Sequence, residues 1–149
     1  MPDFEFRRTV AARDLAYCWP IYRDAMQPLI AELQSWNEAA ERKFIEEIVA
    51  DENSSLIVTA GEAAGWLHVD ETRYEIFLSH LYLEPAARNR GLGTRFMRWM
   101  ADRARRKRKA FTLEVLKNNR ALVLCERLGF RTIGTSPFKL KMRLPDDAA

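Results

Sequence analysis

At 149 residues, 48% of them hydrophobic and 30% charged, the chain has enough apolar material for one buried core and too much for a disordered tail. Its 24 Lys and Arg stand against 21 Asp and Glu, a net charge of +3, which excludes a uniformly basic tail protein. Composition permits an enzyme without naming its chemistry.

No run of about 18 apolar residues is available to cross a bilayer. The start, Met1-Pro2-Asp3-Phe4-Glu5-Phe6-Arg7, carries neither an apolar signal core nor a small-residue cleavage site. The expectation is a cytoplasmic protein with no membrane role. Cys18 and Cys125 stand far apart without CxxC or Cys/His spacing, so two buried thiols are expected rather than a disulfide or a metal site.

Phe4 to Val10 alternates apolar and polar residues, the period of a strand. Leu15, Trp19, Tyr22, Met26 and Ile30 then recur at helical spacing, and Pro20 and Pro28 are expected to kink or divide that helix. Asn37 is placed as the N-cap of a second helix, with Glu38 and Glu41 in its first turns and Phe44, Ile45, Ile48 and Val49 as its apolar residues. It should end near Asp51-Glu52-Asn53. The period shortens to two over Ser55 to Ala60, a Gly61-Glu62 turn, Gly65 to Asp70, and Tyr74 to Leu83, which Pro85 halts. A helix follows from about Leu92 to Arg108, then a strand over Phe111 to Leu116, then a helix capped by Asn118 or Asn119 and stopped by Gly129. Short strands over Phe130 to Gly134 and Phe138 to Leu144 close the chain. This order argues an α+β fold, a central sheet covered by helices, in one domain spanning 1–149.

The informative segment is Arg88-Asn89-Arg90-Gly91-Leu92-Gly93-Thr94, between a strand and the helix that its glycines open. Gly91 and Gly93 let the backbone turn tightly and leave its N–H groups uncovered, and a helix start adds unpaired donors and about half a positive charge. That is a device for capturing a phosphate. A nucleoside-triphosphatase loop would need Gly-Lys-Ser/Thr, and Gly93 is followed by Thr94 without a lysine. A dinucleotide fingerprint would need a third glycine where Phe96 stands. What remains is Arg/Gln-x-x-Gly-x-Gly, and here the sequence resembles the acetyl-CoA loop of the GNAT superfamily of N-acetyltransferases. Asn118-Asn119-Arg120-Ala121-Leu122-Val123-Leu124-Cys125-Glu126-Arg127-Leu128-Gly129-Phe130 is similar to that superfamily's later motif, a helix begun by Asn that runs to Leu-Gly-Phe. The resemblance covers roughly Phe4 to Leu144, and Tyr22 to Pro28 with Ser35 to Glu38 resembles one group within the superfamily.

The resemblance implies a mixed, mostly antiparallel sheet splayed between its fourth and fifth strands. It implies acetyl-CoA as cofactor, its pyrophosphate on the main-chain amides of Arg88, Asn89, Arg90, Gly91, Leu92, Gly93 and Thr94. The pantetheine arm would pair with the main chain of Leu83, like an added strand. The Leu81 N–H would point at the thioester carbonyl, where it stabilises the oxyanion, and Asn118, or Asn119, would touch the cofactor arm. The implied reaction is direct attack by a primary amine in a ternary complex.

That reaction needs a proton acceptor for an ammonium whose pKa lies near 10. Candidates are Glu75, His80, Glu114 and Glu84, of which Glu75 is favoured because it shares a strand face with Leu81. The thiolate is commonly protonated in the family by a Tyr of the second motif, and Cys125 stands at that position. A thiol can donate there, and a small buried hydrophobe explains Cys125 equally; Tyr82 or a water are the other donors. Trp36, with Glu32 and Glu38 nearby, could recognise a cationic amine.

Residues 88 to 109 carry ten basic side chains against Asp102 alone, an electropositive surface in which Arg88 or Arg90, with Arg95 as a further candidate, is expected to meet phosphates. Two other readings stand beside the transferase: an acyl-CoA-binding domain without turnover, and a nucleic-acid module using the basic helix, which lacks interleaved aromatic residues. The sequence leaves a homodimer and the identity of the amine open.

Overall fold

A computed structural model describes residues 4–146. Its elements are β1 (Phe4–Arg8), α1 (Ala11–Leu33), α2 (Glu38–Ala50), β2 (Ser54–Thr59), β3 (Glu62–Glu71), β4 (Glu75–Leu83), a 3-10 turn (Pro85–Ala87), α3 (Leu92–Lys107), β5 (Ala110–Leu116), α4 (Ala121–Arg127), β6 (Arg131–Thr135) and β7 (Lys139–Leu144). The strands lie in the order β1-β2-β3-β4-β5-β7-β6. β4 and β5 are parallel, whereas the β1–β2, β2–β3, β5–β7 and β6–β7 pairs are antiparallel. The α+β class and the mixed, mostly antiparallel sheet agree with expectation. By contact density the chain divides into residues up to 68 with 80–90, and residues 69–79 with 91 onward.

In the first unit Cys18, Ile45, Val49, Leu56, Ile57 and Trp66 are almost fully buried, and α2 packs on β2. Of the expected kink or division at Pro20 and Pro28, the division does not occur: helix α1 runs as one element through both. Each proline forfeits one helical N–H bond, but the carbonyls released, those of Ala16 and Asp24, lie on exposed residues where water satisfies them. The opposite face buries Cys18, Trp19, Ile21, Tyr22 and Ile30. Asn37 Oδ1 accepts from Ala40 N–H at 3.0 Å, the expected cap. The hairpin turn sits one residue earlier than expected, at Ala60 and Gly61, both left-handed (φ 50° and 80°), the pair of conformations that suits a two-residue hairpin.

In the second unit β5 buries Phe111, Thr112, Leu113, Val115 and Leu116, and both α3 and α4 pack on it. Phe96, Met97, Met100 and Ala104 form the buried stripe of α3. Helix α4 begins later than expected, at Ala121, with Asn119 Oδ1 accepting from Ala121 N–H at 2.9 Å. Gly129 takes the left-handed φ of 101° that ends it.

Candidate functional site

The loop after β4 has the backbone its glycines predict. Asn89 is left-handed at φ 60° and Gly91 at φ 78°, conformations that Asn tolerates and Gly adopts without strain. The first N–H bond inside α3 runs from Arg95 to the Gly91 carbonyl at 3.0 Å. The N–H groups of Leu92, Gly93 and Thr94 therefore have no partner within their own helix. No side chain caps this end and no acidic residue lies in its first turn. Leu92 is buried and anchors the helix start, and a Cβ built on Gly91 would meet nothing within 4 Å. Bare amides, a positive helix end and open space suit a phosphate group, so the loop fits coenzyme A.

The Arg88 side chain is held within the first unit. Its Nε donates to the Leu83 carbonyl at 2.9 Å and its Nη1 to Asp24 Oδ2 at 2.8 Å, while Nη2 is buried without a hydrogen-bond partner among the described residues. The guanidinium thus braces the end of β4 at the carbonyl of Leu83, whose main chain is expected to pair with pantetheine. Arg90 is exposed and without an ion pair among the described residues.

The β4–β5 ladder covers Glu75 to Leu78, and β4 continues to Leu83. Leu81 and Leu83 lie in that continuation, both half-buried. Glu75 lies at the start of the ladder, where it accepts a hydrogen bond from Thr112 Oγ1 and lies 3.9 Å from Lys141 Nζ. It stands six positions before Leu81 on β4. Glu75 belongs to the second unit and Leu81 to the first. Glu114 is exposed on β5, opposite Lys141. Glu84 lies beside the Tyr17 phenol, which burial and that carboxylate push upward in pKa.

Cys125 is 5% exposed on α4, and burial pushes its thiol up to about 11. A donor at that value gives its proton uphill to a thiolate of ordinary pKa near 8.5, which makes Cys125 a poor acid and a natural core residue. Asn118 is half-buried just before α4, and Asn119 supplies the turn bond.

His80 and Tyr82, both candidates from the sequence, join a cluster in the first unit whose other members Tyr22 and Glu41 were not legible as site residues. Tyr22 O–H donates to Glu41 Oε1 at 2.5 Å, and the Tyr82 ring meets Tyr22 edge-on, with centroids 5.2 Å apart. His80 Nδ1 lies 2.6 Å from the Tyr82 hydroxyl, and Trp66 packs against both. Tyr22 and Glu41 read locally as a packed helix residue and a first-turn acid. Their meeting depends on how α1 and α2 pack. In the second unit a cavity of about 550 Å³ lies at the C-terminal end of α3, but two of its arginines, Arg105 and Arg143, are paired with Asp102 and Asp146.

Residues 44–132 match the family model described as acetyltransferase (GNAT) domain. A search of curated proteins finds no match. Among solved structures, PaiA N-acetyltransferase from Thermoplasma acidophilum in complex with coenzyme A is 15% identical, with a TM-score of 0.70 over 95% of this chain and 98% of that one. The apo-form of YjaB from Escherichia coli is 14% identical, with a TM-score of 0.72 over 98% and 99%. YncA from Salmonella typhimurium with its cofactor acetyl-CoA is 20% identical, with a TM-score of 0.58 over 98% and 95%. At these identities the likeness is one of fold. Among the described residues no helix is long and apolar enough to cross a membrane.

Proposed function

Because the chain belongs to the GNAT acetyltransferase family, we propose that it transfers an acetyl group from acetyl-CoA to a primary amine, with 1–149 acting as one catalytic domain. The observation that carries this reading is the set of amides at Leu92, Gly93 and Thr94, uncapped at the start of α3 and opened by the left-handed Gly91. Those amides would hold the pyrophosphate, with Arg90 adding charge at its edge. Bound acetyl-CoA supplies the activated acyl group. The main chain of β4 beyond its ladder with β5 would align the pantetheine arm, and the Leu81 N–H would donate to the acyl oxygen. Arg88 acts from behind, fixing the carbonyl of Leu83 and so the course of the strand.

Titration calorimetry with acetyl-CoA tests the loop, and release of free thiol in the presence of amines tests turnover. Binding by the wild-type protein and its loss in Gly91→Val are expected, since a β-branched residue resists the left-handed φ and fills the space above the amides. Absence of heat with the wild-type protein would overturn the assignment. Binding without thiol release across polyamines, aminoglycosides, amino acids and peptide N-termini would favour an acyl-CoA-binding domain instead.

A further inference from the structure

The reaction proposed above leaves the acceptor without a binding site and its proton without a destination. Both are met by one cluster, whose members all belong to the first unit. His80 and Tyr82 flank Leu81 on β4 and project to the opposite face from Leu81, so they are the titratable side chains nearest in sequence to the residue assigned to the acyl oxygen. The Tyr82 hydroxyl sits 2.6 Å from His80 Nδ1. Tyr22 stacks with Trp36 and meets Tyr82 edge-on, with centroid separations of 6.3 and 5.2 Å.

Glu41 gives the cluster its charge. The carboxylate is half-buried, takes one hydrogen bond from Tyr22, and has no Lys, Arg or His partner among the described residues. Neighbouring Glu38, by contrast, is paired with Arg23 and held below the usual carboxylate range, first by the Trp36 indole N–H. A carboxylate without a counter-ion beside several ring faces attracts a cation by charge and by quadrupole together. Packing of aromatic rings accounts for Tyr22 and Trp66, and the start of α2 favours an acid at Glu41, but neither calls for that acid to meet the rings without a Lys, Arg or His partner among the described residues.

Resting on the acetyl-transfer reading, we propose that this cluster is the acceptor subsite: an alkylammonium is held by Glu41 and the rings of Tyr22, Trp36 and Tyr82, and passes its proton through the Tyr82 hydroxyl to His80. An N–H bond of the ammonium breaks and its proton joins the Tyr82 oxygen, while the phenol's own proton moves to His80 Nδ1. The imidazolium then returns one proton to water. Charge passes from the ammonium to the imidazole, and nothing is oxidised. Burial, reinforced by the Glu41 charge, keeps the Tyr82 phenol protonated, so it conducts the proton without ionising. The other groups facing His80 are His68 of β3, itself 3.3 Å from Asp51, and the apolar rings of Phe44 and Trp66.

The test has two arms. In the absence of acetyl-CoA, tryptophan fluorescence is followed while n-butylamine is added at neutral pH, with n-butanol as the neutral control. Saturable quenching by the amine alone, weakened at least tenfold in Glu41→Gln, is expected, and equal responses to amine and alcohol, or an unaltered Glu41→Gln, would overturn the cation site. In the second arm, His80→Gln and Tyr82→Phe are compared with wild type for acetyl-CoA binding by calorimetry and for the pH dependence of kcat/KM. Binding should be retained while the acidic limb of the profile is lost and turnover falls about 10²-fold; a wild-type profile in both variants would overturn the relay. Tyr82→Phe keeps the ring, and its melting temperature separates a lost proton path from a lost fold. Failure of acetyl-CoA to bind wild type would strike the acetyl-transfer reading, whereas the amine titration judges the cation site by itself.

Discussion

A Cβ placed on Gly65 would lie 2.2 Å from the carbonyl oxygen of Tyr82 and 2.9 Å from the Cα of Leu83. Glycine at 65 is therefore what lets the β3 main chain approach β4 at Tyr82, proposed for the acceptor, and Leu83, proposed for the pantetheine arm. Gly65→Ala pushes on backbone, which yields less readily than a side chain. It is expected to destabilise the protein by about 1 to 3 kcal/mol or more and to lower acetyl-CoA affinity in the fraction that folds. Urea denaturation and calorimetry measure the two effects.

Arg88 and Arg90 should separate by salt. Arg90 is an exposed cation, so Arg90→Ala is expected to weaken acetyl-CoA binding about fivefold at low ionic strength and hardly at all near 1 M salt, where the Debye length is about 3 Å. Arg88 works through its bond to the Leu83 carbonyl. Arg88→Ala is expected to weaken binding by a factor that salt leaves unchanged. A parallel salt dependence in the two variants would return Arg88 to the phosphates.

Glu71 receives hydrogen bonds from Lys107 at 2.7 Å and Lys109 at 2.6 Å. The Lys107 bond, then that from Lys109, draws its carboxyl down to about 2. Because the folded value lies below the unfolded one, the stabilisation is complete above about pH 4.5 and is lost as pH falls towards 2. After allowance for solvent screening it amounts to about 1 to 2 kcal/mol. Glu71→Gln should be less stable than wild type by that amount at pH 7, with the gap closing between about pH 4.5 and 2 in paired urea titrations.

The two thiols should be inert in the folded protein. Burial pushes Cys18 up to about 12 and Cys125 up to about 11, so little thiolate exists at pH 8 and little of it is reachable. Iodoacetamide at that pH is expected to label both residues in urea and neither in buffer. Cys125→Ala should cost about 1 kcal/mol of stability through lost packing and leave turnover unchanged. A severe loss of turnover with the fold intact would restore the thiol as a proton donor.

Position in sequence and position in space part company at the site. The glycine loop was legible because its function is local: Gly91 needs a left-handed φ, a helix must follow, and both requirements are written in neighbouring residues. The Asn37 cap, the strand periods and the stop at Gly129 were legible for the same reason. The unbroken α1 was not, since whether a proline divides a helix depends on which face meets water and on what the other face buries.

Sequence by itself determined the family resemblance, the backbone form of the glycine loop and most element boundaries, because each rests on contacts within a few residues. Tertiary structure alone decided which ionisable groups stand together. Strand alternation put Glu75 on the face of Leu81, but alternation fixes a face and not a distance, and Glu75 takes Thr112 and Lys141 as its neighbours. Glu41 joins Tyr22, and Arg88 turns to Asp24 and Leu83, because helix packing brings distant residues together, and a charge settles where desolvation and partners together cost least.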